Sequence, residues 1–372
     1  MLYRELGKTG IRISAASFGS MRWPSEEACE QIMARGIEQG MNYVDTSTGY
    51  CGGLSEVWTG RAAARRRDRI YVSNKTRYGA APTADDVRRA IEKSLKTMGL
   101  DYLDFYQLWG LESLATLREA LRPGGFVDGV RQAQRDGLVR HGLGFTFHGE
   151  PDTFRAAIDT GVFVSATVSY NLLNRREAEN IAYAAERGVG IVVMNPLAGG
   201  VLALAGLPAL DFLRGPGSGQ AHGALRFLAA HCEITTAIVG FRSVAEVDQA
   251  SEAMKHAGRL GAATRDRMIR KMVGLKLLEG KFCTGCGYCK ACPSGVNVPR
   301  FMQTMRDFEV YGVPRERLAA WIWSKYAHSD PVRQLAACTA CGHCETQCPQ
   351  HLAIIAAIRR GRKALAAGVV GG

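Results

Sequence analysis

The chain has 372 residues, enough for one large domain and a small one, and its 47% hydrophobic and 22% charged residues are ordinary for a globular protein. The arginines behind the formal charge of +12 are spread along it, as at Arg61, Arg65 to Arg67, Arg88 and Arg89, and read as solvated helix faces rather than a nucleic-acid surface. No membrane association is expected, because the most apolar tail, Leu352 to Val370, is broken by Arg359, Arg360, Arg362 and Lys363, and the segment MLYRELGKTG has no apolar signal core, so a cytoplasmic protein is expected.

In chain order, residues 1 to 13 predict a hairpin, with Gly7, Thr9 and Gly10 between short mixed segments. Short apolar runs then alternate with helical patterns. Strands are predicted at Ala15 to Phe18, Asn42 to Asp45, Ile70 to Asn74, Asp104 to Trp109, Gly142 to Phe147, Ala166 to Tyr170, Ile191 to Met194 and Ala237 to Gly240. Between them, Ser25 before Glu26 and Glu27 opens a helix that stops at Gly40. Thr83 with Asp86 makes a capping-box pattern, followed by Val87, Ile91 and Leu95 on one face and a stop at Gly99. A third helix is predicted from Glu177 to Gly188. Strand and helix alternating eight times predict an α/β fold, a TIM (β/α)8 barrel over residues 1–262.

The catalytic residues of such a barrel belong just past the carboxyl ends of its strands. There the sequence places Asp45 and Tyr50 at the end of the second strand and Lys75 at the end of the third, polar residues that a buried strand would not otherwise need. Cys51 follows Tyr50 and is expected to line the pocket, while Cys29 and Cys232 lie in helical patterns and are expected in the core.

The other eight cysteines form two copies of one pattern, Cys283, Cys286, Cys289 and Cys292 before Pro293, then Cys338, Cys341, Cys344 and Cys348 before Pro349. The second run reads C-x2-C-x2-C-x3-C-P, and the first differs only in its last spacer, which is one residue shorter, C-x2-C-x2-C-x2-C-P. Two-residue spacers curl the chain so that three thiolates converge on three corners of one 4Fe–4S cube. Structural zinc usually takes two separated pairs, and disulfides fit a reducing compartment poorly. The stretch between the runs is aromatic and helical in pattern (Phe301, Phe308, Tyr311, Trp321, Trp323, Tyr326), which predicts a helical layer over the clusters. Residues 263–280 are expected to be a helical linker, 281–360 a small, mainly helical, ferredoxin-like iron–sulfur domain, and 361–372 a tail.

The two runs resemble those of a two-cluster ferredoxin domain. The resemblance implies that the fourth cysteine of each run reaches the other cube, giving one cluster Cys283, Cys286, Cys289 and Cys348, and the other Cys338, Cys341, Cys344 and Cys292. The rest of the chain resembles an aldo-keto reductase. LGKTGIRIS, DTSTGY with a later SE, NKT, DYLDFYQL, SYNLL, NPLAGG and AIVGFRS match that family's pattern in order over roughly residues 1 to 260. The whole chain is similar to the branch of that family with a carboxyl-terminal ferredoxin domain.

That resemblance implies a Tyr50 hydroxyl that donates a proton to a substrate carbonyl while NADP(H) carries hydride. Lys75 would favour the phenolate and Asp45 would hold Lys75. It also exposes departures. Trp109 stands where the family has a His at the end of strand four; its indole N–H donates one hydrogen bond but relays no proton. His148, after strand five, is a candidate substitute. In the nicotinamide grip, Thr146 and Phe147 stand where many members have Ser-Asn, Thr167 where a Gln is expected, and Met194 where an aromatic stacks. At the phosphate end, Gly199 and Gly200 let backbone approach a pyrophosphate, and Arg242 and Ser243 open a helix suited to a 2′-phosphate, with Glu246 and Gln249 near the adenine. The same corner suits the single phosphate of FMN.

The expected function is an iron–sulfur oxidoreductase acting on a small organic carbonyl or activated C=C substrate, with electrons from NADPH, from the clusters, or from both. An acidic ferredoxin or flavodoxin is the expected donor. The rival readings are a redox-sensing or binding module that has lost catalysis, and an electron-transfer subunit of a partner enzyme.

Overall fold

The computed structural model describes residues 1–149, 151–203, 208–215, 219–255, 257, 261–274, 282–310, 315–326 and 330–368. Of the sequence expectations, Tyr311, the end of the linker at 275–280, residue 281 and the last four residues of the tail lie outside them.

The hairpin forms from β1 (Tyr3–Glu5) and β2 (Arg12–Ser14), paired antiparallel with Tyr3 opposite Ser14. Its Leu6 and Ile13 pack under the barrel with Tyr43, Phe105 and Val192. Eight parallel strands follow and close: β3 (Ala16–Gly19), β4 (Tyr43–Asp45), β5 (Tyr71–Arg77), β6 (Leu103–Leu111), β7 (Val139–Phe147), β8 (Ser165–Ser169), β9 (Gly190–Met194) and β10 (Ile234–Val239), with β10 pairing back to β3. The fold is the TIM barrel expected. Strands β7 and β10 begin earlier than the sequence reading placed them, at Val139 and Ile234. At the carboxyl ends β5 continues to Arg77 and β6 to Leu111, so Lys75 sits within its strand rather than after it and Trp109 is no longer the last residue of its own.

Helices form where the caps predict. In α1 (Glu26–Glu38) the Ser25 hydroxyl accepts from the Ala28 N–H. In α3 (Ala84–Met98, following α2 at Ser55–Ala64) Thr83 and Asp86 cap each other, Val87, Ile91 and Leu95 are buried, and Gly99 stops the helix at φ +67°. The barrel continues through α4 (Leu114–Leu121), α5 (Phe126–Arg135), α6 (Pro151–Asp159), α7 (Ala178–Glu186), α8 (Ala221–Ala229) and α9 (Val244–Met254). Helix α10 (Ala262–Gly274) leads out of it.

The carboxyl-terminal part is helical: α11 (Val298–Val310), α12 (Leu318–Lys325), α13 (Pro331–Ala336), α14 (His343–Thr346) and α15 (Ile354–Gly368). They share a second core of Phe301, Phe308, Leu318, Ile322, Tyr326, Leu335, Ile358 and Leu365, into which Cys289, Cys344 and Cys348 are packed. Trp323 does not join this layer and is 46% exposed. Among the described residues no helix is long and apolar enough to cross a membrane.

Candidate functional site

Alternation along the strands turns Ser73 and Lys75 of β5 and Gln107 of β6 to one face, and register sets Asp45 opposite Ser73 and Lys75 opposite Gln107. The outcome is a buried polar layer inside the barrel. Lys75 Nζ pairs with Asp45 and donates to the Thr46 carbonyl at 3.0 Å. Gln107 Nε2 donates to the other Asp45 oxygen at 2.7 Å and to Ser73 Oγ at 2.8 Å, and Gln107 Oε1 accepts from Thr167 at 2.7 Å. Each buried charge in this layer therefore has partners. Gln107 had gone unremarked in the sequence, although it lies in the quoted DYLDFYQL.

Tyr50 stands above this layer, at the start of a 3₁₀ turn in which Cys51 has φ +50°. Its ring lies 4.9 Å from Lys75 Nζ. The three residues singled out from sequence are thus brought together. The expected electrostatics are corrected, however: burial first, then Asp45, push the phenol well above its ordinary value, outweighing Tyr288 and Arg77. Tyr50 therefore keeps its proton at neutral pH, as an acid must.

Trp109 packs rather than reaches for substrate. It meets Tyr50 edge-on at 5.9 Å, lies under the Arg77 guanidinium at 4.7 Å, and is not a wall of the adjoining cavity. His148 does line that cavity, half-buried. Burial first, then Arg176, His351 and Arg77, push its imidazole down to about 4, so it is neutral near pH 7. Cys51 is corrected: its thiol points at the carbonyls of Ser20 and Trp23, outside the cavity. Cys29 is buried as expected, but Cys232 is exposed, in the turn before β10.

The cavity has a volume of about 660 Å³ and runs across the barrel mouth. Asp45, Tyr50, Met194, Gly199, Gly200, Arg242, Glu246 and Gln249 line it, whereas Thr146, Thr167 and Ser243 do not. Thr146 Oγ1 accepts from the Gly110 N–H at 2.8 Å, Thr167 is engaged with Gln107, and Ser243 caps α9. Two other wall atoms are better placed for a ligand. Ser169 Oγ and Asn195 Nδ2 are buried without a hydrogen-bond partner among the described residues. An unpaired buried polar atom costs about 1–3 kcal/mol, so a ligand able to pair both is favoured here. Glu246 caps α9 instead of standing free, accepting from the Arg242 N–H at 2.7 Å.

The opposite wall comes from the iron–sulfur part: Thr284, Gly285, Cys286, Tyr288, Gln303 and Arg306. Arg22, after β3, donates to the carbonyls of Thr284 and Gly285 at 3.1 Å each. Gly199 explains itself here, since a Cβ at that position would lie 2.4 Å from the Thr284 carbonyl oxygen. Its close approach is to the cysteine loop, whereas Gly200 is open to the cavity.

The eight cysteines of the two runs gather at two small cavities. Cys283, Cys286, Cys289 and Cys348 line one, and Cys292, Cys338, Cys341 and Cys344 line the other. Each quartet supplies the four thiols that one cube takes. Burial raises the Cys283 thiol to about 11 and that of Cys289 to about 12, so these thiols ionise readily only against a cationic partner.

Residues 15–260 match the aldo/keto reductase family, and residues 279–352 match the 4Fe-4S dicluster domain. An L-galactose dehydrogenase of Arabidopsis thaliana is 26% identical over 69% of this chain and 89% of its own. A probable voltage-gated potassium channel subunit beta of Oryza sativa subsp. japonica is 24% identical over 54% of this chain and 66% of its own. Among solved structures, an aldo-keto reductase of Bacillus halodurans in its holo form aligns with a TM-score of 0.64 and 26% identity, covering 73% of this chain and 96% of its own. The chain belongs to the aldo/keto reductase family and is an oxidoreductase with an appended 4Fe–4S dicluster domain.

Proposed function

We propose that the protein reduces or oxidises a small organic carbonyl or activated C=C compound at the barrel mouth, with Tyr50 as proton donor and NADP(H) and two 4Fe–4S clusters as its redox groups. One observation carries this reading: Tyr50 and the cysteine loop at Thr284 to Cys286 line the same cavity. When bound, NADP(H) supplies or accepts hydride and the cubes exchange single electrons. The residues suited to hold the nucleotide are Arg242, Gln249 and Gly200 at one end and Ser169 and Asn195 nearer Tyr50. A cavity reaching from Tyr50 to Gln249 suits a dinucleotide better than FMN. The two cysteine quartets would each hold one cube.

Tyr50 keeps its proton until negative charge develops on a substrate oxygen, and then donates it. Lys75, fixed by Asp45 and the Thr46 carbonyl, sets a positive charge under the phenol as it becomes negative. Neutral His148 offers a further hydrogen bond without adding charge. An acidic ferredoxin or flavodoxin would dock on the basic surface. The test is Tyr50→Phe in the cluster-loaded protein: turnover of carbonyl and alkene probes should fall at least a hundredfold with the melting temperature kept. Unchanged turnover refutes the role.

A second reading has one observation behind it. Thr146 and Thr167 are occupied by protein partners and Trp109 is packed away, which leaves a nucleotide fewer contacts. In that case the barrel is a redox-sensing module or an electron-transfer subunit. Tight NADPH binding without turnover of any carbonyl or alkene probe would favour it.

A further inference from the structure

The aromatic contacts at the barrel mouth cross between the two domains. Tyr288 lies in the spacer between Cys286 and Cys289 and begins a 3₁₀ turn, Tyr288–Lys290, that Gly287 enters at φ +78°. Its ring centroid is 6.1 Å from that of Trp109, which in turn meets Tyr50 edge-on at 5.9 Å. The Arg77 guanidinium covers both rings, 4.7 Å from the Trp109 centroid and 5.6 Å from that of Tyr288. The Tyr288 side chain lies close enough to the Tyr50 phenol to act on it, opposing its upward shift, and both residues are walls of the large cavity. Nothing in the cysteine pattern demands a phenol here: the corresponding residue of the second run is His343.

We propose that Tyr288 is a positioning residue of the barrel's catalytic site, holding the Tyr50 hydroxyl toward the cavity, so that one site is assembled from both domains. The inference rests on the reading of Tyr50 as proton donor. A phenol on a 3₁₀ turn at the barrel mouth has freedom about its side-chain bonds. Trp109 fixes the ring from one edge, and Tyr288 fixes the hydroxyl. Both clamps are in turn braced by Arg77. Misplacing a proton donor by a fraction of a bond length lowers turnover while leaving nucleotide affinity alone.

The test compares the wild type, Tyr50→Phe, Tyr288→Phe and Tyr288→Leu as cluster-loaded, full-length proteins under argon. Tyrosines are labelled with 3-fluorotyrosine, and the fluorine resonance missing from Tyr50→Phe identifies Tyr50. Turnover is followed with NADPH and 4-nitrobenzaldehyde. The expected result is a shifted Tyr50 resonance in Tyr288→Phe, a kcat lowered roughly tenfold, unchanged KM and NADPH affinity, and both cluster EPR signals retained. Tyr288→Leu should lose more kcat by the same pattern. An unmoved resonance overturns the proposal. So does a Tyr288→Phe kcat equal to wild type beside an inactive Tyr50→Phe, or loss of a cluster signal together with activity, which would make Tyr288 a cluster-assembly residue. An active Tyr50→Phe counts against the proton-donor reading, and the resonance then decides the Tyr288 contact alone, as it does if the wild type does not turn over this aldehyde.

Discussion

Replacing Lys75 by Met strips the barrel's polar layer of the Lys75 ammonium while nearly keeping side-chain length. The pair is deeply buried, with the side chains of Lys75 and Asp45 3% and 2% exposed. Removing one partner of such a pair costs about 3–5 kcal/mol, because the other charge is stranded away from water. Asp45 keeps the Gln107 Nε2 hydrogen bond at 2.7 Å, which places the expected cost near the lower limit, about 3 kcal/mol. At roughly 2–4 °C per kcal/mol for a domain of this size, Lys75→Met should melt about 6–12 °C below wild type. The assay is tryptophan fluorescence during heating of cluster-loaded proteins at one scan rate. Adding Asp45→Asn to Lys75→Met removes the stranded charge and should restore most of the loss. A single variant within about 2 °C of wild type, or a double variant less stable than the single, would refute the reasoning.

The remaining expectations concern His148, the cysteine sets and Gly199. The His148 imidazole is held at about 4, below its unfolded value near 6.5, so as pH falls between these values the unfolded chain takes up a proton that the folded chain refuses. Stability contributed by neutral His148 is therefore present above about pH 6.5 and lost toward pH 4, and His148→Gln should show a shallower fall in melting temperature over that window. Cys348→Ala should abolish the EPR signal of the cluster nearer the barrel and Cys292→Ala that of the other; loss of the signals in the reverse order would contradict the crosswise gathering of the cysteines. Gly199→Val sets a branched side chain where a Cβ alone already lies 2.4 Å from the Thr284 carbonyl oxygen, on backbone at φ +66°. Limited proteolysis should then cut the chain between barrel and iron–sulfur domain faster, and cleavage as slow as in wild type would show that the loop does not dock there.

The fold was largely legible in the residues, because strand alternation and helix caps are local signals. Ser25, Thr83 with Asp86, and Gly99 each act within a turn of where they stand. Asp45, Tyr50 and Lys75 were legible because a barrel gathers its strand ends, and the fourth cysteine of each run does line the other run's cavity. What stayed hidden depends on contacts across long sequence separations. Tyr288 reads as a spacer inside a cysteine motif until the motif is seen against β6. Arg22 and Gly199 meet Thr284 from opposite ends of the barrel sequence. Thr146 and Thr167 read as nucleotide contacts by position, yet a neighbouring backbone N–H and Gln107 already occupy them. The upward shift of Tyr50 was missed because the charge beside it is visible in sequence and its enclosure is not.

The cavity at the barrel mouth, proposed to take the nucleotide, and the first cysteine quartet share a wall at Cys286. The most direct measurement is EPR of the dithionite-reduced, cluster-loaded protein with and without NADP+, with binding verified by equilibrium dialysis. NADP+ should alter the signal abolished by Cys348→Ala and leave the other unchanged, because Cys286 lines the cavity and no cysteine of the second quartet does. Verified binding of NADP+ with both signals unaltered, or with only the Cys292-dependent signal altered, would contradict it.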